Sequence, residues 1–529
     1  MKKITLAIIF TLLGILNPRH TVAEQPYIRR IEITRQNVFD KDLENRNNLV
    51  FRIANKLHRV TRERIIRQEV LLEPGQKFDQ SAFEQSIRNI RALAFIGDVN
   101  IQIDTVTADS IDIELTTEDL WTTIVGLSSE SGGGKYKISV YGDEKNIAGL
   151  GIGIETTLQY ASDKDNGISI QAYDSRFLGS RNMADLNFGW SKFSRILDLT
   201  ITRPFYTSIT RWSFALVGQF ERYRQRLFNQ GNEYFRYKRN LDHVELKGIR
   251  AFGVYRRFEP YVQYIYQHDY YGVELAENPY NSIIPANKTF SGPGLGADMT
   301  TVAYDTAFYL DQFGAVEDLT YRYMVDINGA WSGKFWGGDR GGLIFGLKAM
   351  IFQNPIPNVY AGIISTYSSY QRNSKRVKTI NEAEAVVYFK LSRRHILAAN
   401  LFSSYAWRNE DDYQITLGGR NGLRGYPDRY YSGIKTALFN GEYRFFTPLQ
   451  IFTVALGGAA FFDAGYAWAA NQPMRLKDFK KDIGLGLRLG LTKSSTARVV
   501  RIDLARGLDR KVTYLSMGTS NVFDLDTFK

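Results

Sequence analysis

The chain has 529 residues, with 67 Lys and Arg against 55 Asp and Glu, and a formal net charge of +12. It contains no cysteine, which excludes disulfide frameworks, thiolate metal sites, cysteine nucleophiles and acylated lipoprotein cysteines. Aromatic residues make up 14% of the chain and there are only 13 prolines, which argues against a disordered polypeptide. A chain of this length must fold into several domains or into one large closed architecture.

The first 23 residues have the layout of a secretory signal peptide. Lys2 and Lys3 precede an apolar run from Ile4 to Leu16, polar residues then break the run, and small residues lead to a cleavage site after Ala23. The run is too short for a comfortable spanning helix. We therefore predict a signal peptide over residues 1–23, with an N-terminal anchor as the alternative.

The remainder of the chain offers no membrane helix. Val454 to Phe462, with nine residues, is among its longest apolar runs, whereas a spanning helix needs about 18 or more. The mature chain is therefore either exported and soluble, or it crosses a membrane as a β-barrel. Barrel strands alternate lipid-facing and lumen-facing side chains and need no continuous apolar run.

Residues 27–118 predict a small module with the order β-α-α-β-β. The strand-like segment Tyr27–Thr34 is followed by a helix-like stretch. A second helix follows the sequence Ser81-Ala82-Phe83-Glu84, which fits a capping box with Ser81 as the cap. Alternating apolar residues over 99–103 and again over 111–115 predict the two closing strands.

Residues 120–529 predict strands and turns. Odd positions from Ala383 to Leu391 are apolar between mostly polar neighbours, and odd positions from Ile483 to Leu491 are aliphatic between Gly and Arg. A soluble sandwich would alternate similarly, but the signal peptide and the dense Tyr and Phe favour a transmembrane antiparallel β-barrel. Roughly 25 residues per strand and turn predict about 16 strands. Polar stretches at Phe228–Tyr237 and Glu277–Asp298 are predicted to be loops.

Three short motifs follow one another in the last quarter of the chain. They are Leu423-Arg424-Gly425-Tyr426, a segment containing Glu442, and Phe461-Phe462-Asp463-Ala464-Gly465. Alternation predicts that Glu442 and Asp463 share the small and polar face of their strands, which suits a barrel lumen. An arginine can bind a carboxylate through two parallel hydrogen bonds, and a glycine beside it would allow a tight turn.

In this order, the motifs and the upstream module resemble the BamA/TamA superfamily, which also includes the two-partner secretion transporters. The first motif is similar to the Arg-Gly-aromatic loop of that family, Phe461 to Gly465 to its Phe-x-Asp-x-Gly strand, and residues 27–118 to a POTRA domain. The resemblance implies that the loop enters the lumen and that Arg424 pairs with Asp463, with Glu442 beside it. The alternative is an exposed arginine in a turn.

The resemblance also implies a function without enzymatic chemistry. The protein would insert or export client polypeptides at the outer membrane of a Gram-negative-type bacterium, through a seam between the first and last strands. Its POTRA-like domain would lie in the periplasm and pair an exposed sheet edge with clients, or serve only as a spacer. The alternatives are a passive pore or surface antigen and a secretion transporter dedicated to one partner.

The C-terminus departs from the family pattern, and the sequence lacks the usual catalytic and metal-binding motifs. Barrels of the family commonly end on an aromatic residue, but here Lys529 follows Phe528, so Phe523 is a second candidate for the strand end. The five histidines lack metal-ligand spacing, and no nucleophile elbow or P-loop is present. We therefore expect no catalytic residue, cofactor, metal, nucleic acid or small-molecule substrate. The expected partners are outer-membrane lipid, lipopolysaccharide and client polypeptides.

Overall fold

The computed structural model describes two compact units. The first ends at Leu120, and the second begins at Trp121 and includes residues 58–61. The described residues are 25–38, 56, 58–107, 109–207, 210–254, 256–274, 284–311, 313, 316–339, 341–373, 375–407, 414–451, 454–470, 472–491, 499–523, 525 and 528. The predicted signal peptide lies outside them. Among these residues, no helix combines the length and the apolar character that crossing a bilayer requires.

The described residues of the first unit have the predicted β-α-α-β-β order. Its elements are β1 (Tyr27–Gln36), α1 (Glu63–Arg67), α2 (Gln80–Arg91), β2 (Ile96–Thr107) and β3 (Ser110–Asp119). Strand β3 is central, parallel to β1 and antiparallel to β2. The parallel pair requires a crossover, which contains the helices. Leu115 of β3 packs with Ile66 of α1 and Ile90 of α2, and Ile113 packs with Ile31 of β1.

The N-terminal cap of α2 is Asp79 and not Ser81. The Asp79 carboxylate accepts hydrogen bonds from the backbone N–H groups of Ser81, at 2.8 Å, and Ala82, at 3.2 Å. The capping-box prediction was wrong because the chain is already helical at Gln80. An aspartate caps a helix as well as a serine does, and its charge also interacts favourably with the helix dipole.

We expect Asp79→Ala to weaken α2 by about 1 kcal/mol, because two backbone donors of the first turn lose their acceptor. Ser81→Ala is the matched control, since the capping acceptor is the Asp79 side chain. Hydrogen exchange of the α2 amides in the intact protein measures both variants. A larger loss of protection in Ser81→Ala than in Asp79→Ala would show that the cap is assigned to the wrong residue.

The second unit contains a closed antiparallel barrel of twenty strands in the described part of the chain. The first fifteen are β4 (Thr123–Gly132), β5 (Lys135–Glu144), β6 (Ile152–Ala161), β7 (Gly167–Asp174), β8 (Met183–Ser191), β9 (Ser194–Arg203), β10 (Trp212–Asn229), β11 (Asn232–Arg250), β12 (Arg256–Gly272), β13 (Lys288–Phe308), β14 (Val316–Ser332), β15 (Gly342–Ile356), β16 (Val359–Arg372), β17 (Lys375–Ser392) and β18 (His395–Trp407). Two short strands, β19 (Ile415–Leu417) and β20 (Tyr431–Gly433), pair with each other in a separate sheet. The wall continues with β21 (Lys435–Ile451), β22 (Val454–Trp468), β23 (Lys480–Leu491), β24 (Val499–Gly507) and β25 (Thr513–Gly518).

The prediction of about 16 strands was wrong. The 396 residues from Thr123 to Gly518 hold twenty barrel strands, so strand plus turn averages about 20 residues and not 25. The early strands β4 to β9 have only 8 to 10 residues each. The predicted loop at 228–237 belongs mostly to the β10–β11 hairpin, and residues 288–298 belong to β13. Polar residues here extend long strands and do not mark loops.

Side chains alternate between the inside and the outside of the barrel as predicted. On β23, Ile483, Leu485 and Leu487 are exposed on the outer face, whereas Asp482 and Arg488 are buried on the inner face. Exposed apolar residues of this kind recur on the outer face of the other strands. A cylinder that is apolar outside and polar inside indicates a membrane-spanning barrel.

The barrel has two ends, which we name from their connections. The loop rim carries the turn between β4 and β5 and the long segment between β18 and β21. The terminal rim is the end where β4 begins and β25 ends. Because the strands are antiparallel neighbours in chain order, the β8–β9 and β10–β11 turns lie at the loop rim and the β13–β14 connection lies at the terminal rim.

The wall closes through a short seam between β25 and β4. Only Met517 with Ser131 and Gly518 with Glu130 are paired there, whereas β4 pairs with β5 along all ten of its residues. The Ser131 hydroxyl also accepts a hydrogen bond from the Met517 N–H at 3.1 Å. The segment Thr123–Ser129 has no partner on β25, because β25 ends at Gly518.

Beyond Gly518 the chain packs into a buried cluster at the terminal rim. Phe523, Leu525 and Phe528 are buried with Leu310 and Phe313 of the β13–β14 connection and with inner-face residues of the wall. Neither Phe523 nor Phe528 therefore ends a barrel strand, contrary to both expectations. We call these five residues the tail cluster.

Candidate functional site

The segment between β18 and β21 is folded against the inner face of the barrel. Strands β19 and β20 form its stem, with Leu417 opposite Tyr431. Beyond the stem, Leu423, Arg424 and Tyr426 are almost wholly buried. We call residues 414–434 the inner loop.

Glycines allow the inner loop to turn sharply and to approach the wall. Gly418, Gly419 and Gly422 have φ angles of 124°, 58° and 89°, a region that favours glycine. Gly425 lies in the turn that we predicted, since the Tyr426 N–H donates to the Leu423 carbonyl at 3.3 Å across Arg424 and Gly425, and it also has a second role. A side chain there would lie 2.5 Å from Cβ of Asp482 and 2.6 Å from the backbone nitrogen of Gly507, so this glycine permits close approach to β23 and β24.

Arg424 is 1% exposed and contacts three carboxylates of the barrel wall. Its Nε and Nη2 donate to the two oxygens of Asp463, both at 2.8 Å. Its Nη1 donates to Glu442 at 2.6 Å and to Asp503 at 3.1 Å. The structure therefore brings Arg424 together with Asp463 and Glu442, as the resemblance implies, and adds Asp503 on β24. The planar guanidinium group of an arginine can donate to several carboxylates at once in fixed directions, which the ammonium group of a lysine cannot do as well.

The Arg424 contacts belong to a larger buried ionic network. Arg444 donates to Glu442 at 2.8 Å and to Asp311 at 2.6 Å. Arg488 contacts Glu442 and Asp503, and Arg501 donates to Asp503 at 3.0 Å. Four arginines thus alternate with four carboxylates, those of Asp311, Glu442, Asp463 and Asp503. Each of these eight charges has an opposite neighbour, which buried ions require.

The other motif residues fix the position of the Arg424 side chain. The Arg424 guanidinium lies over the Phe461 ring, with Cζ 3.4 Å from the ring centre. Leu423 and Tyr426 pack in one apolar cluster with Leu438. Gly465 leaves room for the loop, since a side chain there would lie 3.3 Å from Leu417 of the inner loop and 3.0 Å from Leu438 of β21.

The inner loop also contacts the first strands of the barrel. The Asp428 N–H donates to the carbonyl of Gly133, in the β4–β5 turn, at 3.0 Å. Arg429 contacts Asp163 of the β6–β7 connection at 3.3 Å. The Gln414 side chain exchanges two hydrogen bonds with the backbone of Phe228 on β10. One segment thus connects the wall on both sides of the short seam.

The network extends to the tail cluster. The Arg444 Nη2 donates to the Phe523 carbonyl at 3.0 Å. The Asp311 carboxylate accepts from the Leu525 N–H at 3.0 Å and from the Tyr388 hydroxyl at 2.8 Å. Arg444 and Glu442 therefore link the inner loop to the buried C-terminal segment.

Sequence reasoning missed several members of this network. Arg488 stands in the Gly and Arg face already recognised on β23, and Arg501 and Asp503 alternate with Ile502 and Leu504 on β24. That alternation was a usable signal for an inward polar face. Asp311 lies in a turn, where no periodicity could have assigned it.

The groups of the site bind and position one another. Within the described ranges, no group of three or more His, Cys, Asp or Glu is arranged to hold a metal ion. The carboxylates of the network are engaged by arginines, so the arrangement holds a loop in one position.

Comparisons with known proteins give similarity in structure only. No family model and no curated protein matches the chain. The chain is similar to the crystal structure of BamA from Haemophilus ducreyi lacking POTRA domains 1–3, with 14% identity, a TM-score of 0.48, and coverage of 93% of this chain and 84% of that one. It is also similar to CdiB from Acinetobacter baumannii, with 13% identity, a TM-score of 0.47, and coverage of 93% and 73%. For CdiB from Escherichia coli the identity is 10%, the TM-score 0.45, and the coverage 94% and 76%.

Proposed function

We propose that the chain is an outer-membrane barrel of the BamA/TamA superfamily that inserts or exports client polypeptides without enzymatic chemistry. The single observation that carries the proposal is the seam, where two residue pairs close a wall of twenty strands. A seam this short can separate at small cost compared with the other ladders of the wall. Separation exposes backbone donors and acceptors that an incoming strand can pair with.

The edge of β4 suits this role. Its outward side chains Val125 and Leu127 are 77% and 60% exposed. Among the described residues, no strand pairs with Thr123–Ser129 across the seam. An edge with apolar side chains and unpaired backbone groups is unfavourable in lipid unless another strand covers it. A client strand with alternating apolar residues would satisfy both requirements.

The first unit offers a second edge for client chains. In the order β1-β3-β2, strand β2 has no other neighbour in the described part of the unit. Its side chains Ile103 and Val106 are 42% and 41% exposed. We propose that this unit is a POTRA-like domain of the periplasm and that β2 receives extended client segments by strand addition.

The segments folded into the barrel interior disfavour a passive pore. Arg424 and its partners occupy the lumen beside β21 to β24, and the tail cluster occupies the terminal rim. Both segments narrow the space that a passive pore would use. We therefore rank client insertion or export above solute passage.

Outer-membrane proteomics of a strain that lacks the protein tests the proposal. Loss of many barrel proteins would support general assembly, and loss of one exported protein would support secretion dedicated to a single partner. Unchanged protein content together with altered uptake of small solutes would contradict the proposal and support a pore. Re-expression of the wild-type chain, restoring the lost proteins, is the control.

A further inference from the structure

A basic cavity lies on the outer face of the barrel near the loop rim. It encloses about 570 Å³ and is lined by five cationic side chains, those of Lys192, Arg195, Arg222, Arg224 and Lys238. They come from the β8–β9 hairpin, from β10 and from β11. The cavity exists because β9 pairs with β10 only as far as Tyr223, so the longer strands rise above a short hairpin.

The cavity directly borders the apolar exterior of the barrel. Leu197 and Phe220 face each other across β9 and β10, are exposed on the outer face, and stand one outward position below Arg195 and Arg222. Trp190, 56% exposed, lies beside Arg195. Tryptophan beside cations at the edge of an apolar belt is typical of the membrane interface. The cavity thus lies where lipid headgroups meet acyl chains.

The cations are not balanced by the protein. Arg222 contacts Asp242 at 2.6 Å and Arg224 contacts Glu274 at 3.2 Å. In the part of the chain that the structure describes, Lys192, Arg195 and Lys238 have no carboxylate within ion-pair distance. Five cations against two carboxylates leave three positive charges.

Like charges also stand opposite each other in the sheet. Arg195 is the register partner of Arg222, and Arg224 is the register partner of Lys238. Like-charged side chains directly across an antiparallel ladder repel each other. An anion bound between the strands would remove this repulsion.

We propose that this basic cavity binds the headgroup of a membrane lipid that carries more than one phosphate. Arginine forks bind phosphate through paired hydrogen bonds, and three uncompensated charges suit a headgroup with several negative charges. The acyl chains would lie on Leu197, Phe220 and their neighbours. One lipid molecule would therefore contact both the cationic side chains of the cavity and the apolar surface below them.

Lipid binding to the purified intact protein in a neutral detergent, followed by native mass spectrometry, tests this inference. The probe is lipid A, a glycolipid with two phosphates, and the comparison probe is phosphatidylcholine. Arg195→Gln with Lys238→Gln should weaken lipid A binding about a hundredfold, because two charged hydrogen bonds are lost and each contributes about tenfold. Arg475→Gln with Lys477→Gln, an equal charge change at the same rim but away from the cavity, should leave binding unchanged.

Two further measurements are needed. One distinguishes loss of the binding site from loss of the fold, and the other distinguishes binding of the whole lipid from binding of phosphate alone. Arg195→Lys with Lys238→Arg keeps the charges and should retain binding, and the gel migration of unheated samples reports whether each barrel is folded. Inorganic phosphate at equal concentration should not displace lipid A. Equal binding in both glutamine pairs, equal binding of phosphatidylcholine, or displacement by phosphate alone would overturn the proposal.

Discussion

Replacing Arg424 by alanine should abolish most client delivery and lower the free energy of unfolding of the barrel by about 3–5 kcal/mol. The reason is that Asp463, Glu442 and Asp503 would each lose a contact with the guanidinium while remaining buried. Uncompensated buried carboxylates are costly. Outer-membrane protein content measures delivery, and the temperature at which gel migration changes measures barrel stability.

Arg424→Lys and Arg475→Ala are the matched variants. The lysine keeps the charge but cannot engage both Asp463 oxygens through a planar fork, so an intermediate loss is expected. Arg475 is exposed between β22 and β23 and should tolerate alanine. Full activity and unchanged gel migration in Arg424→Ala would show that the inner loop does not depend on this arginine.

A disulfide across the seam should stop client delivery nearly completely, and a reductant should restore it. Ser131 and Met517 are opposite each other in the ladder, within the range that paired cysteines can bridge. The natural chain has no cysteine, so only the introduced pair of Ser131→Cys and Met517→Cys can react. The cross-link prevents β4 and β25 from separating, which the proposed mechanism requires.

The control cross-link lies one ladder away. Ser128→Cys with Ser139→Cys joins β4 to β5, where ten residue pairs already hold the strands together. This disulfide should leave delivery intact in oxidising conditions. Equal activity of the oxidised and reduced seam variant would exclude opening between β4 and β25 as the route of clients.

The sequence predicted the faces of the strands better than their number. Alternation correctly assigned the outward Leu485 and Leu487 and the inward Glu442 and Asp463, because a strand has a fixed period of two. Strand number depends on the length of each turn, and turns as tight as Gly133-Gly134 carry little polar sequence to mark them. The estimate of 25 residues for each strand and turn assumed longer turns, and it therefore gave too few strands.

Contacts between distant segments were the least predictable part of the site. The family motif predicted that Asp463 and Glu442 lie beside Arg424. Nothing in the sequence predicts the contacts of Arg444 with Asp311 and Phe523. Asp311 lies in the β13–β14 connection and Phe523 lies in the segment after β25. Both meet Arg444 at the terminal rim because the barrel closes into a cylinder. An aromatic residue near the C-terminus is typical of the last strand of the family's barrels, so the sequence predicts a strand end at Phe523. In the structure Phe523 is instead buried against Leu310 and Phe313 inside the barrel.

The partners of the inner loop have a consequence for the order in which the barrel matures. Gly133 and Asp163 come from its beginning, and Asp463 and Asp503 from its last hundred residues. The contacts with Gly133 and Asp163 join segments more than 250 residues apart, and contacts of that separation form late. Docking of the whole inner loop thus becomes a completion signal, since Asp428 and Arg429 need the first strands and Arg424 needs the last ones.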